Sequence, residues 1–568
     1  MSTLTLIAGF EIRLNASKLE DRFAQLIDDV VVQSHLRLPD SFAFRLANPG
    51  DLIDDDALAL GDDIEILFAA PGDEATSSVV QGEIVALEPH FDARGTSLTV
   101  RGYDYSHKLN RTRLTSTYQS MTYGEIARKV LSRSGLTAGT VDDAGGARPF
   151  VQQTNETDWD FLWRLAREID FELVMTGNKA NFRAAGGPAD QQPITAVLGD
   201  DLLVFRPRVT GVQQIDEVVV RGWDPTTKQT IEATAATPTP ASSIGMDRSQ
   251  SVGAFSGGTV AVVDRPVASQ AQAQALADSV AAQLANAFVE GDGTSIGDPR
   301  LLAGSRIEIE GVGARFGGTY AVTAATHRFR RRDGYRTSFE VSGRSARTLL
   351  GTESLRPART WARSVVVGVV TNNQDPDALG RIRVQCLELD SEHEGWWARL
   401  TAPAAGADRG LLMLPQAGDE VLLAFEHDDD EHPFVIGSLW NGTAKPGELA
   451  HEDGSFHLAS DKQVTIDAAE AITANAGQDL TLEAGGKLAA HSTGAATLAS
   501  DADVELNAQT AMKIAAGTTL DVEGMTVTLA GSGQVEVRSD GSMAIKGTSI
   551  QIQANASVQI SAPSIMLG

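Results

Sequence analysis

Beyond residue 460 apolar residues recur at a strict eight-residue spacing: Val464, Ile472, Leu480, Leu488, Ala496, Val504, Met512 and Leu520. A second column runs two residues later through Ile466, Ala474, Leu482, Ala490, Leu498, Leu506, Ile514 and Val522. The period then slips by one and continues through Val527/Leu529, Val535/Val537, Met543/Ile545, Ile550/Ile552, Val558/Ile560 and Ile565/Leu567. Residues i and i+2 share one face of a strand, and the rest of each octad is turn chemistry such as Gly485-Gly486 or Ser500-Asp501. Each octad is therefore read as one short strand plus a corner.

An octad supplies one wall of a prism and cannot bury its own apolar pair. Two architectures satisfy the pattern. Three intertwined chains can each give one octad per turn, or one chain can use three octads per turn as a solenoid. After Phe456 there is no aromatic residue, which suits a narrow axis and favours the trimer. About thirteen octad steps at about 4.8 Å per stacked strand give a trimeric rod roughly 60 Å long.

Residues 1–350 read mainly as strands broken by turns, for instance Asp63-Ile-Glu-Ile-Leu-Phe68 and Leu98-Thr-Val-Arg101. Three helices interrupt them. Thr122-Tyr-Gly-Glu125 is a capping box that opens the first, with Ile126 and Val130 inward and Gly135 as its stop. Thr157-Asp-Trp-Asp160 opens the second, which turns Phe161, Leu162, Leu165 and Ile169 to one face and leads to a hairpin at Gly177-Asn178. The third spans about 268–289, with Leu276, Val280, Leu284 and Phe288 as its inward stripe. Residues 233–243 and 442–454 have linker composition. Between them, residues 365–445 hold five short strands, at 364–370, 381–384, 397–400, 420–425 and 434–438, which suit a small OB-type barrel.

Composition narrows the function. With 568 residues, 42% apolar and 21% charged, the chain is a soluble multidomain protein. Its formal charge of -28 repels a phosphate backbone, so nucleic acid and anionic membrane surfaces are not expected as direct partners. The single cysteine, Cys386, forms no intrachain disulfide. Residues 1–10 lack a basic n-region, which reads as no signal peptide and folding in the cytosol.

Residues 365–445 resemble the OB domain of spike proteins in contractile injection machines. The resemblance rests on Gly368-Val-Val370, Asp375-Pro-Asp377, Gly380-Arg-Ile-Arg-Val384, Trp397-Ala-Arg399, Gly418-Asp-Glu-Val421 and Val435-Ile-Gly-Ser-Leu-Trp-Asn-Gly442. Residues 1–350 resemble the hub of the same proteins, through Thr157-Asp-Trp-Asp-Phe-Leu-Trp-Arg-Leu-Ala166 and Gly318-Thr-Tyr-Ala-Val-Thr323 followed by His327. Hub, OB barrel and octad needle in one chain are similar to the VgrG proteins of type VI secretion and to the spikes of extracellular, phage-tail-like injection systems. The resemblance implies a mainly β chain: a hub of β-barrels with helical insertions (1–350), a linker (351–364), the OB domain (365–445), a second linker (446–462) and a trimeric β-helix needle (463–568).

It further implies a non-enzymatic homotrimer at the baseplate centre. The hub would meet the inner tube or a hub-adaptor protein and its baseplate neighbours, and a PAAR-type tip protein would sit on Ile565, Met566 and Leu567. The target membrane would be met only on firing, and the particle would be released from the producer or kept. The trimer core is expected to comprise Val464, Ile472, Leu480, Leu488, Val504, Leu506, Met512, Ile514, Leu520, Val535, Val537, Ile550, Ile552, Val558 and Ile560. The last residues stay in register, so three copies would leave an apolar strand edge for a separate tip to cap. About twenty residues from Gly442 to Lys462 are too few for the lysozyme that some phage spikes insert there.

Catalytic, cofactor and metal sites are not expected. Gly293-Thr-Ser-Ile-Gly297 matches the nucleophile-elbow pattern, but a helix precedes it and Asp298-Pro299 follows, so it reads as a loop. Gly311-Val-Gly313-Ala-Arg-Phe-Gly317 reads as a turn. His427-Asp-Asp-Asp-Glu-His432 has ligand chemistry and reads as a solvated acidic loop. His451 and His457 lack metal-ligand spacing, and Glu168 and Asp170 read as a solvated pair. Arg328, Arg330, Arg331 and Arg332 form the one basic run, either an exposed hairpin or a docking patch. A hydrolase hidden in the hub and a carbohydrate-binding adhesin are the competing functions.

Overall fold

The computed structural model describes residues 9–566, apart from 51–56, 74, 94, 145, 187–191, 212–213, 255–256, 342–364, 387–394, 430 and 450–453. The chain divides into two compact units, Met1–Ala459 and Ser460–Gly568. The linker expected at 351–364 lies outside the described residues, as does part of the second linker. Among the described residues no helix is long and apolar enough to cross a membrane.

The first unit is built on a fourteen-stranded sheet. Ile27–His35, Ser41–Ala47, Gly95–Asp104, Thr76–Asp92, Asp63–Ala69 and Phe10–Leu14 follow one another as antiparallel neighbours. Their alternation closes a core of Val30, Val32, Phe44, Leu46, Ile66 and Phe68. The long strand Gly318–Arg330 pairs with Ile27–His35 on one side and Gly334–Val341 on the other. It thereby joins this first half to a second one, whose core holds Phe288, Leu301, Ile307, Tyr320 and Phe339.

Helices enter between strands. Tyr123–Arg133 has the expected capping box, and Thr157 caps Asp158–Glu168 by accepting from the amide of Asp160. Their inward faces, with Ile126, Val130, Phe161, Leu162 and Leu165, form one core beside the hairpin Phe171–Thr176 and Lys179–Ala184, whose turn has Gly177 at φ 59°. The third helix is Gln270–Asn286, and its buried face is wider than the four-residue stripe. Leu276 and Phe288 are buried as expected and Val280 and Leu284 partly so, while Ala273, Ala277, Ala281 and Ala285 are fully buried. Small residues let the helix lie close on the sheet of Glu217–Asp224, Gln229–Ala236 and Thr259–Val262. The linker reading of 233–243 is corrected there, since residues 233–236 complete a strand with Ala233 and Ala235 buried.

All five strands of the expected small barrel are present. Val366–Asn372, Ile382–Gln385, Trp396–Leu400, Pro433–Leu439 and Glu420–Phe425 close into a ring around Val370, Ile382, Val384, Val421, Leu423 and Val435. Asp375 sets the turn before the second strand. It accepts from the amides of Asp377, Leu379 and Arg381 and from the Arg381 guanidinium. Burial opposes its charge, yet these donors outweigh burial and hold the carboxyl well below the usual range.

Candidate functional site

The second unit shows how the octads are cut. Two-residue bends stand at 461–462, 469–470, 477–478, 485–486, 493–494, 501–502, 509–510 and 517–518, one per octad. Local chemistry makes several of them: the hydroxyls of Ser460, Ser492, Ser500 and Ser539 each accept the amide two residues on. Where the column spacing falls to seven residues, the bend falls to one residue, at 525, 548 and 563. The slip in period is thus absorbed in the corner, and the apolar pair of each strand is kept.

Between corners the chain is extended, with the charged residues alternating against the columns. Glu505 stands between Val504 and Leu506, Lys513 between Met512 and Ile514, and Glu536 between Val535 and Val537. Period-two geometry puts those charges on the opposite face. Residues 460–568 carry twelve acidic against five basic residues, so that outer face is acidic.

The columns find no cover within their own chain. Val504 is 53% exposed, Leu506 61%, Met512 50% and Ile514 64%. Val464, Ile472, Leu480, Leu488, Leu520, Val535, Val537, Ile550, Ile552, Val558 and Ile560 are likewise half or more exposed. Among the described residues 460–566 there is no strand pairing and no backbone-to-backbone hydrogen bond. The octads therefore do not stack as a one-chain solenoid. Its apolar stripe far exceeds the patches that monomers expose, and covering that stripe would bury the extended backbone as well, whose amides and carbonyls would then need partners. At the end of the unit Ile565 and Met566 are exposed. Leu567 lies outside the described residues.

The motifs with possible chemistry take structural places. Gly293-Thr-Ser-Ile-Gly297 is not a loop: its first four residues belong to the strand Val289–Ile296. Ser295 is buried and its Oγ donates to the Thr337 carbonyl, 3.3 Å away. The glycines are spacers, because a Cβ would come within 2.3 Å of the Phe339 ring at Gly293 and 2.0 Å of the Tyr335 ring at Gly297. Gly311 and Gly313, at φ 78° and 83°, make a turn as read.

The acidic run 427–432 lies between the last two barrel strands, with Asp430 outside the described residues. No group of three or more His, Cys, Asp or Glu that could hold a metal occurs among the described residues. His451 lies outside them. Glu168 is not merely solvated, since it accepts from the Tyr123 hydroxyl. The basic run forms the Gly318–Arg330/Gly334–Val341 hairpin end, where Arg328 pairs with Asp29 at 2.6 Å and Arg331 donates to the carbonyls of Gln25 and Ile27.

Sequence reasoning missed two features. One is the apolar outer wall of the small barrel, with Val367 and Ile436 exposed. The other is the burial of His327, whose signal in the sequence was only an imidazole in an alternating strand.

Comparison with known proteins gives two family matches. Residues 366–440 match the type VI secretion system/phage-baseplate injector OB domain, and residues 49–331 match the Alg8 N-terminal domain. Two spike proteins of Pseudomonas aeruginosa type VI secretion are similar in sequence. VgrG5 is 30% identical over 124 residues, covering 21% of this chain and 16% of VgrG5. VgrG1b is 28% identical over 96 residues, covering 16% of this chain and 13% of VgrG1b. The chain thus spans about a sixth or less of the length of these relatives. Among solved structures, an E. coli component of the type VI secretion system, described as structurally similar to the T4 tail proteins gp27 and gp5, aligns with TM-score 0.47 and 16% identity. The alignment covers 76% of this chain and all of that one.

Proposed function

We propose that this chain, a VgrG-like spike protein of the phage-baseplate type, is the central spike of a contractile injection machine and works as a non-enzymatic homotrimer. One observation carries the reading: an octad unit with two exposed apolar columns and no backbone pairing of its own. Three copies wound about one axis cover those columns and pair those backbones, and the acidic faces stay in water. In that assembly Val504, Leu506, Met512, Ile514 and their equivalents line the axis.

A rod whose hydrogen bonds run between interlocked chains has no easy local opening, and that stiffness suits it to be driven through an envelope when a sheath contracts. The hub would close the inner tube and seat the baseplate, and Ile565 and Met566 would receive a PAAR-type tip protein. Synthesis and assembly would take place in the bacterial cytoplasm, as part of a phage-tail-like particle. The hydrolase alternative loses its best candidate, since Ser295 is buried in a strand.

The test is the solution mass of the full chain by light scattering, beside a chain ending near Gly454. A trimer that weakens on truncation supports the reading. A monomeric full chain would sink it.

A further inference from the structure

The small barrel has two unlike outer walls. On Ile382–Gln385 and Trp396–Leu400 the outward residues include Arg383, Trp397 and Arg399, with Arg383 lying against the Trp397 ring. The other three strands are different. Register aligns Val367 with Leu422 and Leu422 with Gly437, and one step on it aligns Val369 with Glu420 and Glu420 with Leu439. Val370, Val421, Leu423 and Val435 are buried in the barrel core and Val366 is buried as well, so the alternate positions face out, with Ile436 the extra residue where the register shifts opposite Leu422 and Leu423. There Val365 is 56% exposed, Val367 44%, Ile436 43% and Leu439 36%.

Strands apolar on both faces are the mark of strands covered on both faces. Nothing in the rest of this chain covers this wall among the described residues, as those exposures show. The same domain exposes a second apolar feature, the segment of Leu411, Leu412 and Met413, at 47%, 70% and 60%.

In a threefold ring a residue meets its own equivalents only at the axis. Away from the axis each contact joins one surface to a different surface on the next copy. The barrel presents two such surfaces. Only about twenty residues separate Leu439 from the first octad, so three chains joined through their octads hold three barrels within about 3.3 Å per intervening residue of one axis.

We propose that the wall of Val367, Leu422 and Ile436 packs against Leu411–Leu412–Met413 of a second copy of this chain, making a barrel-to-barrel contact that is separate from the octad columns. The inference rests on the trimer reading. It adds that the trimer is closed at two levels, by intertwined backbones in the octads and by side-chain packing between barrels.

The experiment uses the full chain with single cysteines at three positions: Val367→Cys on the wall, Leu412→Cys on the segment, and Lys445→Cys at an exposed control site. Maleimide labelling is followed peptide by peptide, so that native Cys386 is scored apart, and mass is measured by light scattering. The expected result is a trimer in which positions 367 and 412 react at least about tenfold more slowly than position 445. In a Val367→Glu background, position 412 should recover the control rate while the mass stays trimeric. A trimer in which position 367 reacts as fast as position 445 would overturn the barrel contact and leave the trimer standing. A monomer would overturn both, and slow labelling in a monomer would assign the cover to the chain itself.

Discussion

The imidazole Nδ1 of His327 lies 2.7 Å from the hydroxyl of Tyr335, and its Nε2 lies 3.0 Å from the carbonyl of Leu301. Phe68 stacks flat on the Tyr335 ring at 4.4 Å, so the imidazole stands at the seam where Gly318–Arg330 joins the two halves of the large sheet. Burial disfavours its charged form and lowers its pKa to about 4, although the Leu301 carbonyl and Asp298 act the other way.

A group whose folded pKa lies below its unfolded value near 6.5 favours the folded state when neutral. Its contribution is complete above about pH 6.5 and is lost as pH falls towards about 4, by roughly 3 kcal/mol at most. Asp104 works in the opposite sense. Burial pushes its carboxyl up to about 6, so its contribution is present at low pH and lost as pH rises through about 6. The difference between wild type and His327→Gln therefore isolates the histidine. Thermal unfolding from pH 7 to 4 should show a shallower loss of stability in the variant, and parallel curves would refute the assignment.

Val504→Asp would place three carboxylates about one narrow axis if three copies meet there. Trimer mass should be lost or shifted to higher protein concentration, since a desolvated charge without a partner costs several kcal/mol. Glu505→Gln, on the opposite face, should leave the mass unchanged. A normal trimer in the Val504→Asp protein would refute the inward assignment of that column.

Gly297→Ala puts a methyl group where the Tyr335 ring lies, 2.0 Å from its nearest atom. The expected loss is about 1–3 kcal/mol, the usual penalty of forced overpacking. Gly442→Ala, with nothing within 4 Å of the added carbon, is the control for a loss of chain flexibility alone. Equal melting temperatures for the two variants would contradict the packing found at Gly297.

Asp375→Asn keeps the size of the side chain but removes the charge that Arg381 meets at 2.7 Å and replaces one of the two oxygens that accept the turn amides by a donor. The side chain of Asp375 is 4% exposed in a half-buried residue, so about 1–3 kcal/mol should be lost above pH 4. The variant should converge on wild type only in strong acid, where the native carboxyl is protonated as well, because its folded pKa lies well below the unfolded one. Chemical unfolding at pH 7 and at pH 2 should show the gap narrowed at pH 2 but not closed.

Local order in the chain is legible from spacing alone. Thr122 and Glu125, or Thr157 and Asp160, announce helix starts because a cap is made within four residues. The octad columns are legible for the same reason, since the strand period and a corner of one or two residues fix which side chains share a face. The five barrel strands likewise stand out as short apolar runs between turn residues.

What needed the tertiary structure is which apolar surface meets which. The spacing of Leu276, Val280 and Leu284 pointed to one face of the third helix, which is buried or partly buried, but Ala273, Ala277, Ala281 and Ala285 lie deepest, because close approach to a sheet selects small residues over large ones. Gly293 and Gly297 read as parts of a plain loop and are spacers beneath rings from another strand. Val365 and Val367 read as half of a barrel strand, and only the register across three strands made them an outer wall. The sequence alone determined the elements and the octad repeat, because capping and periodicity act within a few bonds. The tertiary structure decided the partners of each face, because contact between distant segments depends on shape that no local pattern encodes.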